Sequence, residues 1–318
     1  MMYKRFFGAF FVSGMVLAGA LVAGGCEEDV NPVIGTDAPY SIYGLFTPAF
    51  DTQWVRVFPI EGSLKLHGRE KLDATVTSTD LATGEKRVWQ DSLIAEKRDG
   101  RLEHAFWSPF QAAYGHAYQV EVARSDGGTS SATAAVPSRT TIEVLPAELR
   151  SWVIVPAHVK NDAGHLLKLE ATYTVIYSYS AGPPVSMQST VVKLSYDPAL
   201  YADMPSESEP YEVEDGWIIP LNLTADYVRL RDYLINKKLW QPTFGMVVNA
   251  VSFDVIAASE AWAPPGGVFD PDVIGLPGLM SNVDNGFGLV VAGYRLHFGV
   301  VPSDEAAKAA GFRVFSEL

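Results

Sequence analysis

The sequence predicts a mainly β protein. An N-terminal immunoglobulin-like β-sandwich is expected over 41–137, followed by a second β-rich domain over 150–318 that carries one amphipathic helix near 224–240. Three observations carry this expectation. Apolar and polar residues alternate with period two, most clearly at Tyr118–Val122 and from Leu167 to Tyr179. Short β-branched runs are separated by glycine-containing turns, Thr83-Gly84, Asp99-Gly100 and Asp126-Gly127-Gly128, the rhythm of a sandwich. Beyond the leader, only Thr224–Trp240 has convincing helical spacing together with suitable ends.

The chain opens on an export leader, 1–25. Lys4 and Arg5 precede a continuous apolar run from Phe6 to Gly25 that closes in small residues. Cys26 is the only cysteine and directly follows Ala23-Gly24-Gly25. This arrangement resembles the lipobox of bacterial lipoproteins, which implies an acylated cysteine at the mature N-terminus. Each buried CH₂ of an acyl chain contributes about 0.8 kcal/mol, and more than one chain gives stable anchoring. An ordinary cleaved signal and an uncleaved transmembrane helix are the competing readings. Gly14, Gly19, Gly24 and Gly25 weigh against the helix. Glu27 beside the cysteine favours the outer membrane, by resemblance to known sorting patterns. Residues 26–40 form an acidic, proline-containing tether.

Strands are then expected at Ser41–Phe46 and Gln53–Ile60, the second with Trp54, Val55, Val57 and Phe58. Asp73–Thr79, Arg87–Gln90, Leu102–Trp107, Tyr118–Val122 and Thr129–Val136 continue the pattern, which Pro137 stops. Pro137–Pro156 reads as a crossing to the second unit. In the long alternating run, Leu167, Leu169, Ala171, Tyr173, Val175, Tyr177 and Tyr179 share one face. Gly182-Pro183-Pro184 ends it, and Gln188–Tyr196 returns. Asp197–Asp215 reads as an exposed loop, and Trp217–Ile219 as a short strand. Thr224 is placed to cap the helix, with Asp226 in its first turn and Lys237 and Lys238 near its end, as the macrodipole prefers. Tyr227, Leu230 and Leu234 form its apolar stripe. Met246–Ala257 and Phe287–Val301 are the final strands, joined by a Pro- and Gly-rich connection at 264–278, and 304–312 reads as a short helix.

Composition excludes some partners. Net charge is −13, and removing the basic leader makes the remainder more acidic. Nucleic acid and anionic lipid surfaces both demand the opposite sign. No His-Glu-x-x-His, Gly-x-Ser-x-Gly, Walker loop or dinucleotide fingerprint is present, and no cofactor is expected. The six histidines show no metal-ligand spacing, although His104 and His116 could meet across a sheet. Glu207, Glu209, Glu212 and Glu214 are candidate ligand-facing acids, but a solvated acidic loop explains them without calcium. Of the tryptophans, Trp89 and Trp107 read as core. Trp262, before Pro264-Pro265, reads as the exposed candidate for a sugar platform.

The lipobox is followed by Asp73-Ala-Thr-Val-Thr77 and Gly115-His-Ala-Tyr-Gln-Val-Glu-Val122, and then by Ser281-Asn-Val-Asp-Asn-Gly-Phe-Gly288. In this order the chain resembles Bacteroidota-type outer-membrane lipoproteins of domain of unknown function family 4249. That resemblance covers most of the mature chain. It implies an outer-membrane-associated lipoprotein and carries over no catalytic residues. The functional expectation is a non-catalytic, lipid-anchored envelope protein that binds an outer-membrane receptor, another envelope protein or a glycan. The alternative is an envelope hydrolase using dispersed Asp and Glu residues.

Overall fold

The computed structural model describes residues 37–60, 70–95, 102–178, 187–196, 206–239, 245–262 and 280–317, all within one compact unit. The leader, Cys26, most of the tether, the Asp99-Gly100 turn, the 182–184 stop, Trp240 and the 264–278 connection lie outside these residues. Before Pro137 come β1 (Tyr40–Phe46), β2 (Gln53–Pro59), β3 (Thr75–Asp80), β4 (Lys86–Val88), β5 (Gln90–Ala95), β6 (Leu102–Ser108), β7 (Ala117–Ala123) and β8 (Thr129–Ala135). Next are β9 (Thr141–Val144), β10 (Glu148–Leu149), β11 (Val153–Lys160), β12 (His165–Ser178), β13 (Met187–Ser195), β14 (Tyr211–Val213) and β15 (Gly216–Asn222). Helix α1 (Leu223–Asn236), β16 (Met246–Ala258), β17 (Val283–Asp284), β18 (Gly286–Val300) and helix α2 (Asp304–Ala310) complete the fold.

The chain is mainly β, as the alternation predicts, and its strands form three sheets. The largest has the order β13-β12-β16-β18-β1-β2-β6-β5. A second, β17-β8-β7-β3-β4, packs on one end of it in a sandwich-like arrangement, with Tyr40, Ile42, Phe46, Tyr118 and Val120 in the core between them. A third, β10-β11-β15-β14 with β9 also paired to β11, packs with both helices on the other end. There Tyr173, Phe253, Leu221, Leu230 and Leu234 are buried.

β18 is the spine of the molecule. It pairs antiparallel with β16 over Gly293–Val300 and parallel with β1 over Gly286–Ala292. Its even-numbered residues share one face: Val290 and Ala292 enter the first core, and Tyr294, Leu296 and Val300 the second. The expected division at 137–150 therefore cuts neither the sheet nor the cores cleanly, since Val283, Val290 and Ala292 from beyond it belong to the first core. The glycine-dotted start of this strand has a steric cause. A Cβ on Gly288, at φ 106°, would stand 2.1 Å from the Ile42 carbonyl oxygen, and one on Gly286 would stand 2.5 Å from that of Tyr40. The parallel pairing with β1 needs that closeness. Asn282 locks the approach to β18: its side-chain amide accepts from the Val290 N–H and donates to the Val290 carbonyl.

Several sequence expectations need correction. Leu167 does not join the buried face of β12. Lys168 has φ 51° and the register with β16 shifts between Leu167 and Glu170. This bulge reverses the phase, so Leu166 rather than Leu167 packs on the core. Pro137–Pro156 is not a bare crossing but holds β9, β10 and the start of β11. Pro156 lies directly opposite Pro220, and its carbonyl accepts from Leu145 on the far side. The two prolines therefore form a non-hydrogen-bonded pair, and neither missing N–H removes a bond between β11 and β15. Within the expected 197–215 loop, 206–208 is a 3₁₀ turn and 211–213 is β14. Helix α1 is capped by Asn222, whose side chain accepts from the Ala225 N–H at 3.0 Å. Thr224 instead accepts from the Val153 N–H.

Candidate functional site

The large sheet has two faces, and alternation decides what each carries. On β2, Val55 and Val57 point into the core, so Trp54, Arg56 and Phe58 must point outward. Tyr43 and Leu45 do the same on β1. The register then aligns them in two rows across the strands. One row runs Val291, Leu45, Trp54, Trp107, Gln90, and the next Leu289, Tyr43, Arg56, Ala105, Ser92. Large apolar groups on this face meet solvent: Leu45 is 53% exposed, Trp54 45% and Tyr43 38%. An open groove of about 730 Å³ crosses it, lined by Tyr43, Gly44, Leu45, Trp54, Arg56, Phe58, Ile94 and Ala105.

The geometry of this groove is set by side-chain size. Ala105 faces outward yet is buried beneath its larger neighbours, so it forms the floor. The Trp54 and Trp107 rings lie 6.0 Å apart at 33°, and the Trp107 indole N–H donates to Ser92 Oγ at 3.0 Å. Tyr43 and Phe58 meet edge to face at 6.1 Å. Arg56 pairs with Glu103 at 3.1 Å, which makes the patch locally neutral within an acidic protein. Burial raises the Tyr43 phenol above its ordinary value, so it presents a neutral hydroxyl. Ring faces, a paired guanidinium and hydroxyls suit stacking and hydrogen bonding. At the β18 margin, Leu289 and Val291 are buried against Met280, with Ala261 and Trp262 packed on them, so this end of the face is covered.

The residues singled out in the sequence fall elsewhere or at the margin. Trp262 is half-buried in that small cluster rather than freely exposed. Glu207 lies within the 3₁₀ turn and Glu209 directly after it, while Glu212 and Glu214 belong to the β14–β15 hairpin. All four are exposed, and none lies on the sheet that carries the groove. Trp89 is core, its indole N–H bonded to Ser78, but Trp107 is on the outer face, not in the core. Tyr43, Trp54, Arg56 and Phe58 were not singled out. The signal for them was present in the alternation of Gln53–Pro59, but only the pairing register shows that Tyr43 and Trp107 join them.

His104 and His116 do not meet. His104 Nδ1 lies 2.9 Å from Asp91, and His116 Nδ1 lies 2.9 Å from Asp80 on another sheet. His158 and His297 likewise pair with Asp215 and Asp254, at 2.9 and 3.1 Å. Burial opposes the Asp80 charge, but hydrogen bonds from His116 and the Ala82 N–H outweigh it and hold the carboxyl below its ordinary range. Among the described residues, no group of three His, Cys, Asp or Glu could hold a metal ion.

One buried acid stands apart. Asp226, 1% exposed, accepts from the Tyr173 hydroxyl at 2.5 Å, from the Tyr196 hydroxyl, and from Arg229 at 3.2 Å. The sequence assigned it to the helix dipole, but it fastens α1 to β12 and the end of β13. Burial raises its carboxyl above the ordinary range, against the lowering effect of the tyrosines and Arg229. In comparisons with known proteins, no family model and no curated protein matches the chain.

Proposed function

We propose that this chain is a non-catalytic, lipid-anchored binding protein of the bacterial cell envelope. In this reading, acyl chains on Cys26 hold an immunoglobulin-like sandwich at the outer membrane, as in the Bacteroidota-type lipoproteins it resembles. Its partner is a glycan, an outer-membrane receptor or another envelope protein. The observation that supports binding best is the exposed aromatic face around Tyr43, Trp54 and Phe58. Isolated exposed apolar residues are common, but contiguous ones rimmed by polar groups mark interaction sites. Catalysis at this groove would need a free acid or base. Among the described residues its lining has only Tyr43 and Arg56 as ionisable groups, and the adjacent Glu103 is paired with Arg56.

The anchor is tested by labelling cells with a radioactive fatty acid and fractionating envelopes. The wild-type chain should carry label and sediment with outer membranes, while Cys26→Ser should lose both. A labelled Cys26→Ser chain, or an unlabelled wild type, would contradict the anchor.

A further inference from the structure

Resting on the binding reading above, we infer that the groove on the outer face of the large sheet binds a neutral oligosaccharide, with Trp54 as the stacking platform and Arg56 and Glu103 as the hydroxyl-reading pair. Sugar rings present an apolar C–H face and a rim of hydroxyls, so a complementary site needs ring faces and hydrogen-bonding groups close together. Neighbouring strands in a sheet are about 4.8 Å apart, and same-face residues along a strand about 7 Å apart, a grid on the scale of linked sugar rings. Trp54 and Phe58 occupy adjacent same-face positions on either side of Arg56, with Tyr43 across the strand from it.

Charge decides the class of ligand. The chain carries −13, and among the described lining residues the one cation, Arg56, is already paired with Glu103, which disfavours an anionic polymer, phosphate or lipid headgroup. An acyl chain would prefer an enclosed apolar cavity, whereas this groove is open and carries a guanidinium and the Tyr43 hydroxyl, with the Glu103 carboxylate beside it. Ala105 is covered by its neighbours, so a sugar ring would lie across the exposed faces of Trp54 and Tyr43 above it.

The test uses the full-length chain in detergent and follows tryptophan fluorescence during titration with cellohexaose, xylohexaose, mannohexaose and maltohexaose, and with polygalacturonate as the anionic comparison. The expected result is saturable binding of at least one neutral sugar. Trp54→Ala should weaken it at least about tenfold, on the scale of one lost stacking partner. Tyr43→Ala, which removes a ring from the exposed part of the groove, should weaken it similarly while cooperative melting is retained. Binding of polygalacturonate alone, or sugar binding indifferent to both substitutions, overturns the inference. A photo-crosslinker at position 54 separates the two levels in intact cells. Capture of one envelope protein without sugar binding removes the glycan but keeps the binding face, and neither capture nor sugar binding removes both.

Discussion

At the scale of single residues, Asp226 is where chemistry and stability meet most tightly. Replacing it with alanine takes the shared acceptor from two buried tyrosine hydroxyls and the carboxylate from Arg229, which keeps the Ser195 carbonyl, and should cost about 3–5 kcal/mol in denaturant melts. Its pH behaviour has a definite sign. A carboxyl raised in the folded state binds its proton more tightly there than in the unfolded chain, so stability falls as pH rises from the ordinary value of 3.8 through the raised one. Asp226→Asn should remove that slope and leave a loss independent of pH. A slope unchanged in the variant would assign it to another group. Asp80 acts in the opposite direction. Its depressed carboxyl contributes stability above its ordinary value of 3.8 that disappears as pH falls below it. Asp80→Asn should therefore lose stability at neutral pH and converge with wild type in acid.

At the scale of elements, the strands were largely legible because each half-buried strand writes its faces into the sequence. Tyr118, Val120 and Val122 read as inward from their spacing alone, and they are buried. What was not legible depends on contacts distant in sequence. The bulge at Lys168 is a backbone event whose only trace is a phase change between Leu166 and Leu169. Pro156 ends a stretch that reads as a crossing, and only Pro220 opposite it, more than sixty residues later, shows how a proline fits that strand. The outer aromatic face was half visible, since β2 displays Trp54, Arg56 and Phe58, but its other rows come from strands whose neighbours periodicity cannot name. Gly288 gives the sharpest elemental prediction. Gly288→Val would drive a Cβ into the Ile42 carbonyl and force a left-handed backbone on a β-branched residue. It should cost more than about 3 kcal/mol and separate β1 from β18 in hydrogen exchange. A variant that melts with wild type would mean the strand can shift to absorb the added atom.

At the scale of the whole molecule, both cores depend on one strand near the C-terminus. A chain ending at Asn285 lacks Val290 and Ala292 from the first core and Leu296 and Val300 from the second. It should show no cooperative melting in either half. An N-terminal sandwich that still melts cooperatively in that truncation would show that 41–137 stands alone. The same topology sets a schedule. Residues 40–46 pair with 286–292, so the first described strand waits for almost the entire chain before its neighbour exists. A chain made from its N-terminus therefore carries β1 with one edge unpaired until β18 emerges. Neither core can close before then, because each takes side chains from that strand. On the export reading proposed above, that delay would leave the precursor loose enough to be threaded before it closes.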